Sequence, residues 1–183
     1  MSLRLFAALD LPDEARDRLA SLQHGLPEGR ITAWENLHLT LAFFGEADGR
    51  KAEDLHAALG ALRAEAFDWR LDGTGAFGGK SPRALFAAAG PEPALTRLHE
   101  KAEQAGRAAG FAAAAERYRP HVTLKRLHQG EMSPARVARW LEATGHFLFG
   151  PIRAGSFTLF RSTLGRVGPT YEPLARYPLG PRP

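Results

Sequence analysis

Two short stretches of this chain bring histidine and threonine together. One is Leu37-His38-Leu39-Thr40-Leu41 and the other is Pro120-His121-Val122-Thr123-Leu124. If both are strands, successive side chains point to opposite faces. His38 and Thr40 then share one face, His121 and Thr123 share another, and Leu37, Leu39 and Leu41 turn into a core. One histidine of this kind alone reads as a satisfied core residue. Two in matching contexts point to a site assembled from two halves. A neutral imidazole can take a proton from a nucleophile near neutral pH while a protonated one gives a proton to a leaving group. Threonine hydroxyls can donate hydrogen bonds to an anionic centre between them. A phosphodiester suits this set, because its charge lies on the non-bridging oxygens and its entering and leaving oxygens lie on opposite sides.

Other chemistries fit less well. The chain has no cysteine, so disulfide scaffolds, thiolate zinc sites and cysteine nucleophiles are excluded. Two histidines are too few for a closed zinc site, and no i, i+4 histidine pair or neighbouring carboxylate completes one. No Gly-x-Ser-x-Gly is present. Lys80-Ser81 follows a glycine-rich stretch, but Pro82 comes next where a phosphate-cradling loop needs a helix. His24, His56, His99, His128 and His146 sit in expected loops or on charged helix faces and carry no assigned role.

The elements that must position the two motifs follow from periodicity and punctuation. A short apolar run at 3–9 is an expected strand. Asp10-Leu11-Pro12-Asp13-Glu14 opens a helix to about Gln23, with Asp10 or Leu11 at the cap. A short strand is expected at 31–34. The first motif strand runs through Phe44 and ends at Gly45. Helical spacing covers 51–66 and 92–110, the latter stopped by Gly110. Strands are expected at 67–71 and 84–89, with a glycine-rich loop over 72–82 between them. Pro120 suits the first residue of the second motif strand. Ser133-Pro134 caps a further helix to about Ala143, strands follow at 156–161 and 170–177, and 178–183 is a tail with no reason to be ordered. Each half thus supplies an amphipathic helix and one His-x-Thr strand. The pattern is a pseudo-duplicated α+β chain, with no linker separating independent domains.

The 183 residues suffice for a sizeable core, either one large domain or two intimately packed lobes. Lys+Arg is 24 against 20 for Asp+Glu, a formal charge of +4. That permits a phosphate-bearing partner, and an arginine-rich surface fits it equally well. The apolar run near the N-terminus is too short for a signal-peptide core and no stretch approaches a membrane span, so a cytoplasmic protein with no membrane partner is expected.

The paired His-Leu-Thr-Leu and His-Val-Thr-Leu resemble the signature of the 2H phosphoesterase superfamily, and within it the RNA 2′,3′-cyclic phosphodiesterase, or RNA 2′-5′ ligase, branch. The likeness takes in Arg-Leu-Phe-Ala-Ala-Leu-Asp-Leu-Pro, Glu-Asn-Leu-His-Leu-Thr-Leu-Ala-Phe-Phe-Gly, Pro-Arg-Ala-Leu-Phe, Tyr-Arg-Pro-His-Val-Thr-Leu-Lys-Arg and Tyr-Glu-Pro-Leu-Ala-Arg-Tyr-Pro-Leu. It covers nearly the whole chain. The resemblance implies a single bilobal α+β domain over 1–183, in which two antiparallel-type sheets face a central cleft with helices on the outside.

The same resemblance implies metal-independent opening of a 2′,3′-cyclic phosphate to a 2′-phosphate, with reversible 2′-5′ ligation of RNA as a companion activity. His121 would be the base and His38 the acid, and Thr40 and Thr123 would bind the non-bridging oxygens. No cofactor is implied, because the cyclic phosphate already stores the strain. The partner would be RNA with a 2′,3′-cyclic phosphate end, and the protein a monomer. Arg126 matches the basic residue that follows the second motif in the family, whereas strict alternation puts Lys125 on the face of His121 and Thr123. Arg126 reaches the site only if the strand ends, twists or bulges there. Arg83, Arg161 and Arg166 are candidates to line an RNA path. Trp34, Phe43, Phe44 and Tyr171 are candidates to stack a base. Two other readings stay open: a non-catalytic RNA-end binding module, and a related enzyme acting on another 2′-5′ or cyclic nucleotide substrate.

Overall fold

A computed structural model describes residues 3–27, 30–113, 117–165 and 168–180. The order is β1 (Leu3–Asp10), α1 (Asp13–Gln23), a 3-10 turn (Trp34–Asn36), β2 (His38–Ala47), α2 (Gly49–Ala61), β3 (Phe67–Phe77), β4 (Ala84–Ala89), α3 (Pro93–Ala108), β5 (His121–Arg126), α4 (Pro134–Thr144), β6 (Leu148–Ala154), β7 (Ser156–Leu164) and β8 (Pro169–Pro178). All the strands join one antiparallel sheet in the order β6-β3-β4-β5-β2-β1-β7-β8. The two expected sheets are its two four-stranded halves. They meet where β2 pairs with β5 through Leu39 opposite Val122, the apolar residue between histidine and threonine in each motif.

One face of the sheet carries the helices and the core. Leu5, Ala7, Leu9, Leu37, Leu39, Leu41, Val122 and Leu124 are buried there together with Leu19 of α1, Leu55 and Leu59 of α2, and Leu95 and Leu98 of α3. The helix starts follow their capping chemistry. Asp48, Glu92 and Ser133 each accept a hydrogen bond from a first-turn amide of α2, α3 and α4. In α1 the cap is Pro12, whose side chain makes no capping hydrogen bond, and Asp13 and Glu14 supply first-turn acids. Asp10 stays in β1, where its carboxylate accepts from Thr158 Oγ1 at 2.8 Å.

The helices are exchanged between the halves. α1, from the first half, packs behind β5, and α3, from the second, packs behind β2. Gln23 at the end of α1 donates to Leu124 O at 2.9 Å. His99 on α3 donates from Nδ1 to Leu41 O at 2.7 Å and stacks on Tyr118, whose hydroxyl donates to Thr40 O at 3.2 Å. The strand behind each motif is therefore held by the other half.

Several expected boundaries move. β3 does not stop at Leu71 but continues to Phe77 through a register shift at Asp72-Gly73. Gly73, at φ 84°, takes the left-handed conformation that the shift requires. α2 ends at Ala61 rather than 66. Residues 31–34 form no strand: Ile31 makes one isolated bridge to Lys125, and the 3-10 turn follows. β6 is a strand beyond those expected. It is the edge strand, where the missing amide of Pro151 is tolerated. The chain does not fray at Pro178 either: Leu179 is buried and its amide donates to Gly155 O.

Candidate active site

The free face of the sheet, opposite the helices, carries both motifs. On the first half, Asp10 lies opposite His38, Ala8 opposite Thr40 and Phe6 opposite Phe43. On the second, Ala88 lies opposite His121, Phe86 opposite Thr123 and Ala84 opposite Arg126. The antiparallel register through Leu39 and Val122 runs His38 toward Thr123 and Thr40 toward His121. His38, Thr40, His121 and Thr123 are all half-buried on this face.

Each imidazole is oriented the same way. His38 Nδ1 donates to Asn36 O at 2.7 Å, and His121 Nδ1 donates to Arg119 O at 2.6 Å. With the proton held on Nδ1, Nε2 carries the lone pair of the neutral ring. His38 Nε2 accepts from Thr40 Oγ1 at 3.1 Å. Asn36 also donates from its side chain to Pro169 O at 2.9 Å, which ties the start of β8 to the turn before His38.

Aromatic rings wall the two histidines. Phe6 lies 5.0 Å from the His38 ring and Tyr171 5.2 Å from it, edge-on. Phe77 and Phe86 lie 4.9 and 5.2 Å from His121. Gly75 makes room for Phe86: a Cβ there would fall 2.2 Å from Phe86 Cζ. Burial lowers the His38 pKa from 6.5 to about 4, against the pull of the Asn36 carbonyl and the Asp10 carboxylate, and the charges of His121 and Arg126 lower it further. His121 is also lowered, first by burial and then by Arg126 and Arg119, with its bond to Arg119 O opposing. Burial thus favours the neutral form of both rings.

A bulge decides which basic residue reaches this face. Leu85 lies opposite Lys125 and Phe86 opposite Thr123, so Leu124 is the extra residue on β5. The alternation flips there. Lys125 turns away, 0% exposed, and pairs with Glu131 at 2.7 Å. Arg126 is exposed, and its charge is felt by His38, His121 and Tyr171. Alternation alone misplaces both residues, because the bulge arises from pairing with β4.

The remaining candidates divide. Tyr171 stands beside His38, and Phe43, 48% exposed, lies on the same face under the guanidinium of Arg4 at 4.9 Å. Phe44 points into the core, packed on Phe111 and against Gly106. Trp34 sits under Arg16 and donates to Asp17 of α1. Arg161 lies opposite Leu5 and so faces away from the histidines, paired with Glu172. Arg83 lines a hollow of about 470 Å³ with Gly78, Ser81, Leu127, His128 and Gln129, past the end of β5. Arg166 lies outside the described residues. Asp10, Phe6, Phe86 and Arg119 fall in the segments that carry the family resemblance, but residue pattern alone does not bring them to the histidines: cross-strand pairing places the first three, and Arg119 directly precedes β5. Among the described residues no group of three or more His, Cys, Asp or Glu could hold a metal ion, and no helix is long and apolar enough to cross a membrane.

Comparisons with known proteins agree on one family. The model of the 2′-5′ RNA ligase superfamily matches residues 11–163. The chain is 31% identical over 180 residues to the RNA 2′,3′-cyclic phosphodiesterase of Escherichia coli K12, covering 96% of each chain. It is 33% identical over 142 residues to the protein of the same name from Aeropyrum pernix, covering 76% of this chain and 80% of that one. The crystal structure of E. coli LigT complexed with 3′-AMP superposes with a TM-score of 0.80 at 28% identity, covering 98% of this chain and 99% of that one. The crystal structure of TT0787 of Thermus thermophilus superposes at 0.78 with 31% identity, covering 98% and 100%.

Proposed function

The chain belongs to the 2′-5′ RNA ligase superfamily, and from that membership we propose that it is an RNA 2′,3′-cyclic phosphodiesterase, a hydrolase that opens a 2′,3′-cyclic phosphate end to a 2′-phosphate. The observation that carries the mechanism is the matched orientation of two imidazoles, each tied through Nδ1 to a carbonyl two residues back, with Arg126 beside both. His121 Nε2 takes the proton of the attacking water. His38 gives a proton to O3′ as the P–O3′ bond breaks. Thr40, Thr123 and Arg126 hold the non-bridging oxygens as charge builds on them. With a ribose hydroxyl in place of water, the same steps form a 2′-5′ linkage between RNA ends. One chain supplies all five residues, which supports a monomeric domain spanning both lobes. An RNA substrate supports a cytoplasmic location.

Incubation with adenosine 2′,3′-cyclic phosphate in excess chelator tests the reading. The expected product is adenosine 2′-phosphate at an undiminished rate. Binding without product would mean an RNA-end binding module, and activity lost to chelation would mean a metal-dependent reaction.

The pH profile is expected to separate the free from the loaded site. In the free protein both histidine pKa values lie below 6.5, His38 at about 4, so the bell in kcat/KM is centred below 6.5. A bound phosphate adds negative charge beside both rings and favours their protonated forms, so the bell in kcat moves to higher pH. Profiles of both parameters on one substrate check this. A kcat optimum at or below that of kcat/KM would contradict it.

A further inference from the structure

Each histidine has phenylalanine rings on its flank and a guanidinium over one of them. Beside His38 stands Phe6, then Phe43 opposite it, then the guanidinium of Arg4 over the Phe43 ring. Beside His121 stand Phe77 and Phe86, stacked on each other at 4.4 Å, and the guanidinium of Arg119 lies 5.1 and 5.8 Å from their centroids. Arg119 is exposed while Phe86 is buried beneath it, so the planar cation is the outermost layer of that stack. Guanidinium planes and aromatic rings are the surfaces on which unpaired bases stack.

Hydrolysis of a cyclic phosphate needs one nucleoside, on the side of the leaving O3′. Water needs no platform on the other side. We propose that Arg119, laid across Phe77 and Phe86 beside His121, is the platform for the base of a second nucleotide, the one whose O5′ replaces water as the nucleophile. The assignment rests on His121 being the base. In that step O5′ bonds to phosphorus and passes its proton to His121. The P–O3′ bond breaks and O3′ takes the proton of His38, leaving a 2′-5′ diester and a free 3′-hydroxyl with nothing consumed. The reverse step cleaves a 2′-5′ dinucleotide through the same contacts.

The test compares a one-nucleoside with a two-nucleoside substrate in wild type, R119A and R119K. In R119A, kcat/KM for cleavage of adenylyl-(2′→5′)-adenosine is expected to fall roughly tenfold more than kcat/KM for adenosine 2′,3′-cyclic phosphate. R119K keeps the charge without the plane and is expected to behave like R119A. An equal loss on both substrates, no loss on either, or full rescue by lysine overturns the proposal. If the wild type turns over neither substrate, the catalytic reading fails and calorimetry decides the platform separately. The dinucleotide should then bind more tightly than adenosine 2′-monophosphate, and R119A should abolish that difference. Equal affinities, or a difference that survives R119A, overturns it.

Discussion

Replacing either His38 or His121 with alanine is expected to lower kcat on a nucleoside 2′,3′-cyclic phosphate by about 10²–10⁴-fold, the range that one positioned acid or base contributes. The double variant should lose little more than the worse single one, because each proton transfer is useless without the other. Folding should survive. The imidazoles sit on the free face of the sheet, whereas Leu37, Leu39, Val122 and Leu124 carry the packing on the other. The measurement is steady-state turnover beside a thermal melt of each variant. Near-full turnover in either folded variant would sink the acid–base assignment.

The second large effect is expected at the end of β5. Arg126→Ala should lower kcat/KM by about 10²–10³-fold, the scale seen when one donor to a developing oxyanion is removed. It should also move the acid limb of the kcat/KM profile upward, since the Arg126 charge depresses both histidines. Lys125→Met is the control for the bulge. Lys125 is buried against Glu131, so its loss should appear in the melting temperature and not in kcat/KM beyond a few-fold. If Lys125→Met were the more damaging to turnover, alternation rather than the bulge would describe β5 during catalysis.

The contrast between these neighbours shows what could be read from the sequence. The two-residue period of a strand put each histidine on the face of its threonine and sent the leucines to the core, with no tertiary information needed. Family resemblance pointed to Arg126, but the residue chemistry alone favoured Lys125, because Leu124 bulges only in response to β4. Cross-strand neighbours were invisible for the same reason: Asp10 meets His38 through β1, and Phe86 meets His121 through β4. Phe43 and Phe44 are alike in type, yet register shifts in β2 against β1 leave one exposed and the other packed on Phe111. Glycines misled too: Gly73 and Gly75 read as loop but serve a bulge and a ring contact inside β3. The joining of two sheets into one rests on a single rung, Leu39 to Val122, which no periodicity announces.

The exchange of helices between the halves has a consequence for how the molecule comes apart. With α1 backing β5 and α3 backing β2, neither motif strand keeps its apolar support if the halves separate. A wedge driven between them exposes the shared core on both sides at once, so partial opening gains no stable intermediate. The distance between the two proton-transfer groups is thus protected by the global unfolding free energy and not by the one rung that joins the strands. Amides of β2 and β5 should exchange with deuterium at one shared rate, that of whole-molecule opening.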